Sequence, residues 1–113
     1  MLKDLQTRAV RIHPAVVLAV MPGDLNIVLE RIEIPVSARF DLVVVTNVFA
    51  YYDTVEQALA LENISTMLNP GGFLLSNDWL PELPEVPMRS VGHTSVRYAK
   101  GVAAGDNIFW WKR

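Results

Sequence analysis

"FDLVVVTNVFAYYD" (residues 40–53) is the stretch on which the fold turns. A near-continuous apolar run from Phe40 to Val45 is typical of a parallel strand buried on both faces, since a half-exposed strand would alternate. Thr46 and Asn47 follow at its carboxyl end, and Phe49, Tyr51 and Tyr52 come before Asp53. In an open α/β sheet, ligands sit outside the carboxyl ends of parallel strands. These residues therefore fall where a binding crevice is expected.

The next 24 residues support that reading. In "TVEQALALENISTMLNPGGFLLSN" (54–77), Thr54 and Gln57 have capping-box spacing. Val55, Ala58, Leu59, Ala60, Ile64, Met67 and Leu68 supply an apolar helix face. Asn69-Pro70-Gly71-Gly72 stops the helix in a tight turn, and "FLLSN" (73–77) is a second buried strand. Residues 40–77 thus read as a strand, a helix near 54–68 and a strand, with a right-handed crossover into a parallel sheet.

Upstream, "MLKDLQTRAVRI" has Leu2, Leu5, Ala9 and Ile12 at the spacing of a short amphipathic helix. In "HPAVVLAVMPGD" (13–24), Pro14 suits a first helical position while the valines suit a strand; the helix is the reading adopted. Pro22-Gly23-Asp24 forces a turn. "LNIVLERIEI" (25–34) is read as a strand with Leu25, Ile27 and Leu29 on one face, ended by Pro35. Downstream, "LPELPEVP" is an irregular loop. "MRSVGHTSVRYA" and "NIFWWKR" read as an antiparallel hairpin that closes the chain.

With 113 residues the chain has room for one domain. Its hydrophobic content of 51% exceeds what a small isolated domain needs, which fits strands covered on both faces or a surface meant for a partner. A formal charge of −2 argues against electrostatic capture of nucleic acid or anionic membrane. Without cysteine, disulfides, thiolate metal sites and cysteine nucleophiles are excluded. The run Ala15–Met21 is too short to span a bilayer and no secretory leader is evident, so a cytoplasmic protein is expected.

A strand with an acidic residue at its head ("FDLVVVTNVF"), then a helix ending in "MLNPGGFLL", resembles the fourth strand, helix and fifth strand of class I S-adenosylmethionine-dependent methyltransferases. In that family the phrase is commonly of the type L-x-P-G-G-x-L, and the fold closes with a reversed strand inserted beside the fifth. The resemblance covers roughly residues 26–113. It implies an α/β class, namely a partial Rossmann-like methyltransferase sheet with parallel strands, a crossover helix and a closing hairpin. It further implies S-adenosylmethionine as cofactor and methyl transfer as activity. The family's glycine-rich turn after the first strand is not matched, because the sequence contains no G-x-G. The family also needs an acidic residue at the end of its second strand, to bind the ribose hydroxyls. The chain accordingly reads as the C-terminal half of such a domain, inactive and poor at binding the cofactor when alone.

Within that resemblance, Thr46, Asn47 and Phe49 are candidate cofactor contacts. Asn47, Tyr51 and Tyr52 are candidates for orienting the reactants or facing the positive sulfonium with an aromatic ring. Arg31, with Glu30, falls where the family contacts the adenine. Asp41 lies at the strand's amino end, away from the ligand, and reads as a structural cap; Asp78 reads as a turn residue. Ser76, Asp78 and His93 lack the nucleophile elbow of a hydrolase. His13 and His93 lack the further ligands a metal would need, so no metal site is expected. Trp79, Trp110 and Trp111 have no basic stripe around them and read as packing. The alternative function is a non-catalytic remnant that self-associates or binds a partner. A different nucleotide-binding domain is disfavoured by the absence of a phosphate-cradling loop. An uncovered edge beside Phe40–Val45 would call for a homodimer or for a missing N-terminal half.

Overall fold

The computed structural model describes residues 9–101 and 104–113. Four strands form one sheet: β1 (Phe40–Val45), β2 (Leu68–Ser76), β3 (Arg89–Arg97) and β4 (Gly105–Lys112). Their spatial order is β1-β2-β4-β3. β1 and β2 are parallel, as the sequence predicts, and β4 runs antiparallel to both β2 and β3. The hairpin's last strand is thus inserted between the parallel pair and β3.

A parallel pair needs a crossover, supplied here by the helix α2 (Thr54–Met67). Its capping box lies one residue earlier than the sequence suggests. Asp53 Oδ1 accepts from the Glu56 N–H at 2.8 Å, and the Asp53 N–H donates to Glu56 Oε2 at 2.9 Å. Asp53/Glu56 and Thr54/Gln57 have the same spacing, and the carboxylate is the stronger acceptor for an orphan helix N–H. Gln57 instead ties the helix to the preceding turn, donating to the carbonyls of Phe49 and Tyr52. The inward face of α2 carries Ala60, Leu61, Ile64 and Met67, while Val55 and Leu59 are exposed.

β2 begins directly at Leu68, and Asn69–Gly72 form a bulge inside the strand rather than a separate turn. Phe40 pairs with Leu68 and Leu42 with Phe73, so the extra residues loop out between these pairs. Gly71 takes φ 83°, a conformation open to glycine without strain. Asp41 and the Arg39 carbonyl accept from Asn69 Nδ2, closing the bulge against the head of β1.

The core lies between α2, one face of the sheet and the 77–88 loop. Phe49, Leu61, Ile64, Leu68, Leu74, Leu80 and Trp111 are fully buried in it. The other sheet face is bare: Leu42, Val44 and Trp110 remain exposed, and Phe73 is partly so. The expectation of strands covered on both faces is therefore met on one face only.

Two upstream readings change. Residues 25–34 are not a strand; Asn26 Oδ1 accepts from the N–H groups of Val28 and Leu29, and its carbonyl accepts from Leu29 and Glu30, making a single turn. An asparagine that satisfies local N–H groups competes with a sheet ladder. This segment packs on α2, where Asn63 donates to the Ile27 carbonyl at 2.7 Å. The helix expected over 1–12 lies mostly outside the described residues, and residues 9–12 are not helical. α1 (Pro14–Ala19) does form, with no buried residue. At the hairpin end, the Asp106 carboxylate near Tyr98 raises the phenol above its usual range.

Replacement of Asp53 by alanine should cost about 1 kcal/mol of stability, whereas Thr54→Ala should change little. Urea denaturation of the two variants checks which residue caps α2.

Candidate functional site at the strand ends

β1 and β2 end side by side, with Val45 opposite Ser76. The polar residues that follow each strand meet there. The Asn47 N–H donates to Asn77 Oδ1 at 2.9 Å, and Asn77 Nδ2 donates to Asn47 Oδ1 at 2.7 Å. A backbone N–H can only donate, so the Asn77 atom facing it must be oxygen. That fixes the Asn77 amide, which in turn fixes the Asn47 carbonyl inward and leaves the Asn47 NH₂ as the group offered outward. Asn47 has φ 57°, the only non-glycine residue with positive φ among those described. Asparagine tolerates this region better than most residues. The sharp reversal carries the chain away from the sheet into the short 3₁₀ turn Phe49–Tyr51.

Asp78 completes the bracket. Its Oδ2 accepts from the Ala50 N–H at 3.2 Å, and its own N–H donates to Ser76 Oγ at 3.0 Å. Asp78 thus holds the turn after β1 onto the end of β2. Ser76 is buried and His93 is exposed on β3, and Ser76 makes its hydrogen bond to Asp78 rather than to an imidazole.

Beside the strand ends, a groove of about 430 Å³ runs along the free edge of β1. Its walls include Leu25, Ile32, Val43, Val48 and Met67, with Thr46 and Tyr52 at the carboxyl end of the strand. The side-chain hydroxyls on this surface belong to Thr46 and Tyr52. A larger hollow, about 500 Å³, lies within the 82–89 loop against Pro84, Pro87 and Met88. Its carboxylate, Glu82, is already taken by the Ser90 N–H. The edge groove is the better candidate because it adjoins the strand-end polar groups.

The residues singled out from the sequence are distributed unevenly. Thr46 and Tyr52 share the groove, and Asn47 stands next to them in its bond with Asn77. Phe49 is fully buried, edge-on to Tyr52 with ring centroids 6.5 Å apart, and so supports the turn from inside. Tyr51 is 83% exposed and Arg31 pairs with Glu33 at 3.6 Å in the irregular segment, neither lining the groove. Because residues 25–34 form no strand, Arg31 does not stand at a strand end. Asn77 was not singled out. The signal for it was present, since "SND" ends β2 as "TNV" ends β1 and parallel neighbours end together. Among the described residues no cluster of histidine, aspartate and glutamate is arranged to hold a metal. No helix among them is long and apolar enough to cross a membrane.

No protein-family model matches the chain, and no curated protein matches it in sequence. Among solved structures it is similar to the N-methyltransferase NodS from Bradyrhizobium japonicum WM9, with a TM-score of 0.51 and 18% sequence identity. That match covers 79% of this chain and 57% of NodS. At this identity the likeness concerns the fold. The protein is an α/β chain with a partial Rossmann-like methyltransferase fold, in which β1, α2 and β2 make the parallel unit and β4 is the reversed, inserted strand.

The φ at Asn47 gives a stability test. Asn47→Ala loses both the side-chain bond and the tolerance of left-handed backbone, while Asn47→Gly loses only the bond. The alanine variant should be less stable than the glycine variant by about 1–2 kcal/mol, as read by urea denaturation.

Proposed function

We propose that this chain is the C-terminal half of an S-adenosylmethionine-dependent methyltransferase domain, contributing the strand-end side of a methyl-transfer site. The observation that carries this reading is the polar bracket of Asn47, Asn77 and Asp78 at the carboxyl ends of β1 and β2, in a sheet with a reversed strand inserted next to β2. The fold likeness to NodS, named as an N-methyltransferase, is consistent with it. Thr46, Asn47 and Tyr52 are the residues we assign to orientation at this site, with Phe49 holding the turn beneath them.

The groove does not fit the whole cofactor. S-adenosylmethionine has ribose hydroxyls, a carboxylate and an ammonium that need hydrogen-bonding or charged partners. The groove offers aliphatic walls, two hydroxyls and neither a carboxylate nor a glycine. An adenine-sized apolar group matches such walls; the polar remainder of the cofactor does not. The alternative, a non-catalytic module that binds a partner, draws on the bare apolar sheet face.

Calorimetry with S-adenosylmethionine tests the reading. The chain by itself should show no micromolar binding, a level that corresponds to about −8 kcal/mol. Binding of that strength would mean that another segment, such as Met21–Asn26, replaces the glycine-rich turn. The reading frame upstream of Met1 discriminates further. A strand followed by a Gly-x-Gly turn supports the half-domain, and its absence favours the partner-binding alternative.

A further inference from the structure

The chain exposes 8810 Å² for a mass of 12.6 kDa. A folded monomer of that mass exposes about 6,200 Å². Its radius of gyration, 16.6 Å, likewise exceeds the roughly 13 Å of a compact chain of this length. The excess of about 2,600 Å² is well above the roughly 800 Å² that each partner buries in a standard stable interface.

Much of that surface is apolar and belongs to two separate places. The first is the bare face of the sheet. Leu42 is paired with Phe73, Val44 with Leu75 and Leu75 with Trp110, so these side chains form one continuous patch across β1, β2 and β4. The second is the N-terminal arm, where Val10, Ile12, Leu18, Val20 and Met21 are all more than half exposed. The arm is rooted on the other side of the sheet. Asn63 of α2 holds the Ile27 and Val28 carbonyls, and the Ile32 N–H lies 3.4 Å from Met67 Sδ. The root thus lies against α2 and the free edge of β1, where Leu25, Ile27 and Ile32 share a groove with Val44, while the arm beyond it stays exposed instead of packing on the bare face of its own chain.

We infer that a second copy of this chain covers the bare face, through reciprocal exchange of the arms. The Val10–Met21 arm of each copy lies across the Leu42, Val44, Phe73 and Trp110 patch of the other. A two-fold axis makes the exchange self-complementary, so both arms and both faces are buried at once. The arm and the patch each carry few charges, Arg11 on the arm and Lys112 on the patch, and Lys112 already sits 5.8 Å from the Phe73 ring centroid. The inference uses neither the strand-end site nor the methyltransferase reading.

Light scattering at micromolar concentration should give twice the 12.6 kDa chain mass. Leu18→Glu on the arm or Leu42→Lys on the face should each raise the dimer dissociation constant roughly 30-fold or more, the scale of an interface hot spot. Circular dichroism melts establish that each variant is folded. Mixing the two variants is the sharper test, because the mixed dimer retains one intact arm-on-face contact. It should associate more tightly than either variant alone. A monomeric wild-type chain, an open-ended assembly, or a dimer indifferent to both substitutions would each overturn the inference. Since calorimetry with S-adenosylmethionine is read separately, failure here leaves the proposed function standing or falling on its own test.

Discussion

A pair of parallel strands has to be joined by a long crossover, and the crossover element covers one face of the pair. That constraint organises this chain. Met67 ends α2 and Leu68 begins β2 with nothing between them, so the helix is held directly over the strands it connects. Ile64, Met67, Leu68 and Leu74 are buried as a result, and Trp111 enters the same layer from the inserted strand β4. Among the described residues the helix has no counterpart on the opposite face. Strands whose sequence is apolar on both sides consequently show one side to solvent, and no described strand pairs with the outer edge of β1.

The same geometry creates the strand-end site. Parallel neighbours finish together, so the residues after β1 and those after β2 are brought within hydrogen-bonding range at one end of the sheet. The chain must leave β1 at once to reach the start of α2, with only eight residues between Val45 and Thr54. The left-handed turn at Asn47 makes that exit, and the bonds from Asn77 and Asp78 hold it. Local strain at Asn47 and the polar groups around it are thus two aspects of one turn. The bracket's stiffness has a chemical consequence, because the Asn47 amide is locked with its NH₂ outward and suits an acceptor oxygen better than a donor.

The parts of the fold legible in the sequence were those with redundant signals. β1 and α2 combine an apolar run, a cap and a helix-stopping Pro-Gly-Gly, and the hairpin combines two alternating runs with glycines between. Segment 25–34 had only alternation, and the single side chain of Asn26 was enough to divert it into a turn. The cap was displaced by one residue because two overlapping boxes fit the spacing and periodicity cannot rank them. Leu61 was overlooked on α2 although it is buried, and Val55 and Leu59 were placed inward although they are exposed. An apolar helix with leucines and valines on several faces gives no narrow stripe from which to read its orientation. At the site, position after a strand identified Thr46, Asn47 and Tyr52 as neighbours of a crevice. It could not distinguish Phe49, which the 3₁₀ turn rotates into the core.

The open edge and the bare face also link assembly to binding. The groove beside β1 has the strand's own edge as one wall, with Thr46 and Tyr52 at its end. Any segment that pairs with that edge would form the groove's opposite wall or fill it. A cover that adds polar groups beside Thr46 would bind together with a ligand, and one that fills the groove would compete with it. By linkage, the factor by which the cover changes ligand affinity equals the factor by which the ligand changes the cover's affinity. A copy placed on the bare face also touches the groove, because Val44 belongs to that face and is one of the groove's walls, while Val43 and Val45 pack toward the core. Both the edge and the bare face of β1 are therefore coupled to the site.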